Sequence, residues 1–250
     1  MKQALLLALG LSLASGCAGN INASGTDDFT VNSGVWLTLN NGGARTHELI
    51  ATSVSGYCGK RRTAEEERSQ AFDTYQQRLD EGVSLCEARD EYLDDLAAAL
   101  NPLENPSASY LSIVLARDVD SSDLDSITAP VAGSYAQLGG GVDGTFEARV
   151  NHYSARTNQQ LADAYDCEDL AEGEQEDAAA ILGLLTQAQA EVDFPELVTL
   201  SAAEMEIEES GAETREITVS GDVLEGSTSV GSLSANFTAT RCSLDLGEAL

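Results

Sequence analysis

The chain reads as an α+β protein: an antiparallel β-sheet or sandwich with an αα-hairpin and a further helix packed against it. Three observations predict this. The last fifty residues alternate apolar and polar side chains at period two, as in Leu233, Ala235, Phe237 and Ala239 against Ser234, Asn236, Thr238 and Thr240. Two capping boxes, Thr63-x-x-Glu66 and Ser84-x-x-Glu87, each precede a segment of helical period. Between these blocks, short β-branched runs are separated by glycine-rich turn signals such as Asn40–Asn41–Gly42–Gly43.

The chain opens on Met1–Lys2–Gln3, then an apolar run from Ala4 to Ala14, then Ser15–Gly16–Cys17. A positive start, a short apolar stretch and small residues describe an export signal. The run is shorter than the roughly 20 apolar residues a membrane-spanning helix requires. Leu13–Ala14–Ser15–Gly16–Cys17 resembles a bacterial lipobox, with Ala14 where Leu or Val is more usual. That resemblance implies cleavage before Cys17, a diacylated Cys17 thiol and a membrane-held protein. Ala18, rather than Asp, after the lipidated cysteine implies the outer membrane. Residues 1–16 are thus expected as signal peptide, and 17–27, small and polar, as a flexible tether. Residues 28–250 are expected as one α+β domain.

Within that domain, Val35–Leu39 and His47–Val54 should form a hairpin around the Asn40–Gly43 turn. Phe72, Tyr75 and Leu79 should face inward on a first helix. Leu85, Ala88, Tyr92, Leu96 and Leu100 should do so on a second, ended by Asn101–Pro102. One helix of about 37 residues is the alternative to this αα-hairpin, because a heptad frame also fits. Strands are expected over 110–115, 134–138 and 145–153. A further helix should run from about Glu174 to Ala190, with Ile181, Leu184, Leu185 and Ala188 inward. The C-terminal meander should comprise 198–208, 215–223 and 230–242. The overall style, a lipid anchor before short alternating strands and a late Phe-x-Ala-x-x-Cys strand, resembles uncharacterised lipoproteins of GC-rich Gram-negative bacteria. That likeness implies an envelope address and no particular activity.

Charge narrows the partners. The 250 residues carry 42 Asp and Glu against 13 Lys and Arg, a formal net charge of −29. Such a field repels nucleic acid, so a nucleic-acid partner is excluded. It attracts divalent cations and basic partners. Lysine occurs only at positions 2 and 60. Arg-rich coding and adaptation to salt both account for this surface, and composition does not separate them.

Five cysteines leave four once Cys17 is assigned to lipid: Cys58, Cys86, Cys167 and Cys242. An even set in an oxidising compartment can pair fully. A helix over 64–79 spans roughly 24 Å at 1.5 Å per residue. The linker from Cys58 to that helix reaches roughly 20 Å, so Cys58–Cys86 would force it back along the helix. Cys58 and Cys242 each follow a strand, one from the first hairpin and one from the last. Cys58–Cys242 with Cys86–Cys167 is therefore the expected pairing, and Cys58–Cys86 with Cys167–Cys242 the alternative.

Asp118, Asp120, Asp123 and Asp125 crowd one loop and could offer oxygens to Ca²⁺. The EF-hand pattern fails, with Asp123 where glycine belongs and Ala129 where glutamate belongs, so no cofactor is expected and Ca²⁺ is the one candidate. Gly139, Gly141 and Gly144 satisfy G-x-G-x-x-G, but a strand follows rather than the helix a dinucleotide site needs. His47 and His152, the only histidines, both fall on expected strands. No nucleophile elbow, zinc-protease motif or P-loop occurs. The expectation is a lipid-anchored envelope protein with a structural or partner-binding role, leaning against an enzyme and with no assigned catalytic residue. Other envelope proteins are its candidate partners, and its body would lie in the periplasm or on the cell surface. The alternatives are a small-molecule or calcium-binding module and a hydrolase built on His47 or His152.

Overall fold

A computed structural model describes residues 18–26, 28–41, 44–103, 108–116, 129–137, 145–151, 156–171, 173–192 and 198–244. Four strands come first: β1 (Gly19–Ala23), β2 (Phe29–Val31), β3 (Ser33–Asn41) and β4 (Ala44–Thr52). Helices α1 (Tyr57–Asp80) and α2 (Leu85–Leu100) follow, then β5 (Tyr110–Ala116), β6 (Gly133–Gln137) and β7 (Thr145–Asn151). Next are α3 (Arg156–Ala164), a 3₁₀ turn at Cys167–Asp169 and α4 (Ala178–Glu191). The meander β8 (Val198–Glu209), β9 (Thr214–Glu225) and β10 (Thr228–Arg241) ends the described chain. The α+β class holds.

The sheet is mixed rather than purely antiparallel. Its ten strands run β2-β1-β10-β3-β4-β5-β7-β6-β8-β9, and β9 pairs in turn with β10, so the sheet closes on itself. Two pairings are parallel, β3 with β10 and β6 with β7. Closure pairs β9 with β10, so among the described strands the three-residue β2, paired only with β1, is left at an edge. It also sends alternate side chains into one interior. Leu233, Ala235, Phe237 and Ala239 of β10 meet Ile217, Val219 and Val223 of β9, Met205 and Ile207 of β8, and Ile113 of β5 there. Trp36 and Leu49 add their bulk from β3 and β4. At Ser201–Glu204 β8 bulges, with Ala202 at φ 47°. Gly221 lies opposite, where a Cβ would come within 2.8 Å of the Ala203 side chain, so the bulge requires a residue without one.

The helices pack outside the barrel. Tyr57 and Ala64 of α1 cover Val35, Leu37 and Ile50 on the outer face of β3 and β4. The α1–α2 hairpin is present, with Ser84 capping α2 through the Glu87 N–H at 3.1 Å. The start of α1 differs from expectation. It begins at Tyr57 behind Gly56, at φ 67°, and Thr63-x-x-Glu66 lies inside the helix. A left-handed glycine makes this sharp entry without a side-chain cap. The inward faces also differ. Phe72 is 49% exposed while Ala64, Ala71 and Tyr75 are buried in α1. In α2 the buried residues are Cys86, Ala88, Leu93, Ala97 and Ala99. The reason is that α2 packs against both α1 and α3, so two faces lose water instead of one stripe. Ile181, Leu184 and Ala188 of α4 do point inward, joining Cys86, Leu93 and Tyr165 in a helical core. Helix α3 lies outside every segment expected to be helical.

The expected tether is also corrected. Residues 19–23 pair with Leu233–Phe237 of β10 on one side, and Gly19–Ile21 pair with β2 on the other. Ile21 and Val31 are fully buried in the barrel core. Small polar residues alone would stay solvated, but here they fill the gap between β10 and β2. The Gly19 backbone approaches so closely that a Cβ would fall 2.0 Å from the Asn236 carbonyl oxygen.

Candidate functional site

Four chain segments converge where the barrel closes. Ala18 enters first, its N–H donating to the Val31 carbonyl at 2.7 Å and its own carbonyl accepting from the Thr238 N–H at 2.8 Å. The start of β3 lies beside the end of β10, with Val35 opposite Thr240 and Trp36 opposite Arg241. Gly34 makes this approach possible, since a Cβ there would lie 2.1 Å from the Thr238 carbonyl oxygen. The first turn of α1 completes the group, held by the Cys58–Cys242 disulfide with Cα atoms 5.5 Å apart.

Between them is an open depression of about 320 Å³, bounded by Ala18, the Asn32–Val35 run, Gly56–Gly59, Thr238 and Thr240. None of the described residues lining it is charged. Lys60, Arg61 and Arg62 follow lining residue Gly59 directly in α1 and are the only three consecutive basic residues in the sequence. Lys60 and Arg62 are exposed, and Arg62 donates to the Ser243 carbonyl at 3.2 Å. Arg61 is half-buried and pairs with Glu65 at 2.6 Å. Burial works to lower its pKa, but Tyr57, Glu65 and Glu48 outweigh that and hold it above the ordinary value.

The chain matches no protein-family model, no curated protein and no solved structure. Chemistry must therefore come from the residues themselves.

The second disulfide, Cys86–Cys167 with Cα atoms 5.8 Å apart, joins the start of α2 to the 3₁₀ turn. Both bridges follow the pairing favoured by the reach argument. The Tyr165 hydroxyl donates to Cys86 Sγ at 3.4 Å, and burial raises the phenol pKa. His47 is buried directly across from Thr38, whose hydroxyl meets Nδ1 at 3.2 Å. Its ring stands edge-on to Trp36 at 6.2 Å. These contacts pack the ring between strands. Cys17, Asp118, Asp120, Asp123, Asp125 and His152 lie outside the described residues, as do the glycines of the 139–144 turn. Among the described residues, no group of three or more His, Cys, Asp or Glu is placed to hold a metal. No described helix is long and apolar enough to cross a membrane. Sequence reasoning missed the depression and its basic rim, although the Lys60–Arg62 run in so acidic a chain was a visible signal.

Proposed function

We propose that this chain is a lipid-anchored envelope protein, held by acylated Cys17, with a structural or partner-binding role. The observation that carries the reading is the cysteine count. Four of the five cysteines are consumed in two disulfides, and the fifth is the residue after Leu13–Ala14–Ser15–Gly16. Paired cysteines belong to oxidising compartments, which agrees with an export signal ahead of Cys17. The apolar side chains that the described strands bury in the barrel interior support a scaffold role. Outer-membrane residence follows from Ala18 by the sorting resemblance and belongs to the same proposal. Growth with radiolabelled fatty acid tests it. Label should enter the wild type and vanish in Cys17→Ser. A mature protein that is unlabelled, freely soluble and begins after Cys17 would sink the reading.

A further inference from the structure

The rim of the depression at the barrel seam is placed to meet whatever lies beside residue 17. Ala18 is fixed on both sides by backbone hydrogen bonds, and Cys17 is one peptide unit away, about 3.8 Å between Cα atoms. Gly59 and Ala18 share the depression, and Lys60 is the next residue in the chain. Around this point two cations, Lys60 and Arg62, unpaired among the described residues, precede the acidic Glu65–Glu67 run of the same helix by about one turn. The chain carries 42 acidic residues, yet none is among the described residues lining the depression, and the one run of three consecutive basic residues follows lining residue Gly59 directly in the chain, with Arg62 reaching the Ser243 carbonyl beside Cys242. A chain of net charge −29 is repelled by an anionic bilayer over most of its surface. Only a basic face within a Debye length, about 8–10 Å, gains from such a surface.

We infer that the seam surface around Lys60 and Arg62 docks on anionic phospholipid headgroups, seating the barrel directly on the bilayer with the depression facing it. The inference rests on the lipid-anchor reading above. The lipid supplies attachment, and the basic rim sets orientation. Arg61, neutralised by Glu65 at 2.6 Å, braces the rim and contributes little free charge.

Lys60 is the only lysine after the proposed cleavage site, which makes it a single chemical probe. Full-length processed protein would be reconstituted into vesicles of phosphatidylcholine, with or without phosphatidylglycerol. Acetylation of Lys60 by an amine reagent would be followed by mass spectrometry, and attachment checked by flotation and intact mass. Acetylation should be slower by about fivefold or more on phosphatidylglycerol vesicles, the effect of one basic side chain beside an anionic leaflet. Raising the salt to about molar should abolish the difference. Equal rates on both vesicles, with the protein floating, would overturn the docking surface and leave the anchor standing. Equal protection on both relative to detergent would show proximity without headgroup recognition and would also overturn it. A protein that neither floats nor carries lipid mass would overturn the anchor reading and this inference together.

Discussion

Replacing Cys58 and Cys242 together by alanine removes the bridge that ties the last strand to the first helix. The two disulfides are nested, because Cys86–Cys167, with a separation of 81, lies inside the 184-residue span of Cys58–Cys242. With the inner bridge intact, the unfolded path closed by the outer one shortens to roughly 103 residues, worth about 4.7 kcal/mol at 25 °C in the chain-entropy relation. Removing the inner bridge while the outer remains costs about 4 kcal/mol by the same relation. Cys242 and Cys86 are each buried in an apolar cluster, so each double variant adds a small cavity and the loop term sets their order. The outer double variant should therefore be the less stable of the two, by about 1 kcal/mol, and each should lose several kcal/mol against the wild type. Guanidinium unfolding of all three proteins at one pH measures this, with circular dichroism as the readout. Peptide mapping without reductant checks that the remaining bridge is native. An outer variant within about 1 kcal/mol of wild type would refute the loop reasoning. An inner variant that is clearly the weaker would refute the nesting.

Three further outcomes follow from the same structure. Gly34→Ala should destabilise by about 1–3 kcal/mol in thermal melts, because its Cβ meets a backbone carbonyl that cannot swing away; Gly173→Ala, in open space, is the matched control, and equal melts would count against the tight seam. Added sodium chloride up to about molar should raise Tm by screening the −29 charge, and a flat or falling Tm would show that repulsion does not limit stability. Asp90 has a raised pKa through burial and then through Asp94, Asp166, Glu91 and Glu87, so the folded state holds that proton more tightly than the unfolded chain. Its penalty is present at neutral pH and fades as pH falls into the raised carboxyl range. Asp90→Asn should therefore raise Tm at pH 7 by a few degrees and reduce the gain on mild acidification, whereas a lowered Tm would show the carboxylate to be a stabilising group.

Legibility in the sequence tracked how local the determining physics was. The final meander was readable because each strand buries alternate residues and needs no distant information; Glu225 and Thr228 pair around a loop whose Gly226 sits at φ 62°. The α1–α2 break was readable from Ser84 and Glu87, which act within one turn. By contrast, β1 holds only Ile21 as a large apolar residue, and its pairing exists because β10 and β2 leave a gap for it. Composition there signals a solvated linker, and only closure of the sheet turns the segment into a wall strand. Helix α3 carries just one large apolar side chain, Leu161, and its helicity comes from packing against α2 and α4. The disulfides fell between these cases. Chain reach alone disfavoured Cys58–Cys86, and placing Cys58 inside α1 strengthens that argument, since the helix itself now separates the two sulfurs.

The seam concentrates constraints that a barrel usually spreads over its circumference. Within a few residues of Ala18 lie the β1–β10 pairing, the parallel β3–β10 contact and the disulfide that fastens α1 to the chain's last described segment. Each acts on β10, so a force applied at residue 17 passes into the longest strand of the sheet rather than into a loop. Shear along paired strands loads many hydrogen bonds at once, and β10 has twelve residues in register with β9. A tether would let the body diffuse and would transmit no orientation. A wall strand transmits both load and orientation. If Cys17 carries lipid, β1 would hold the barrel close to the bilayer, and the proposed contact of Lys60 and Arg62 would fix its rotation about that short attachment.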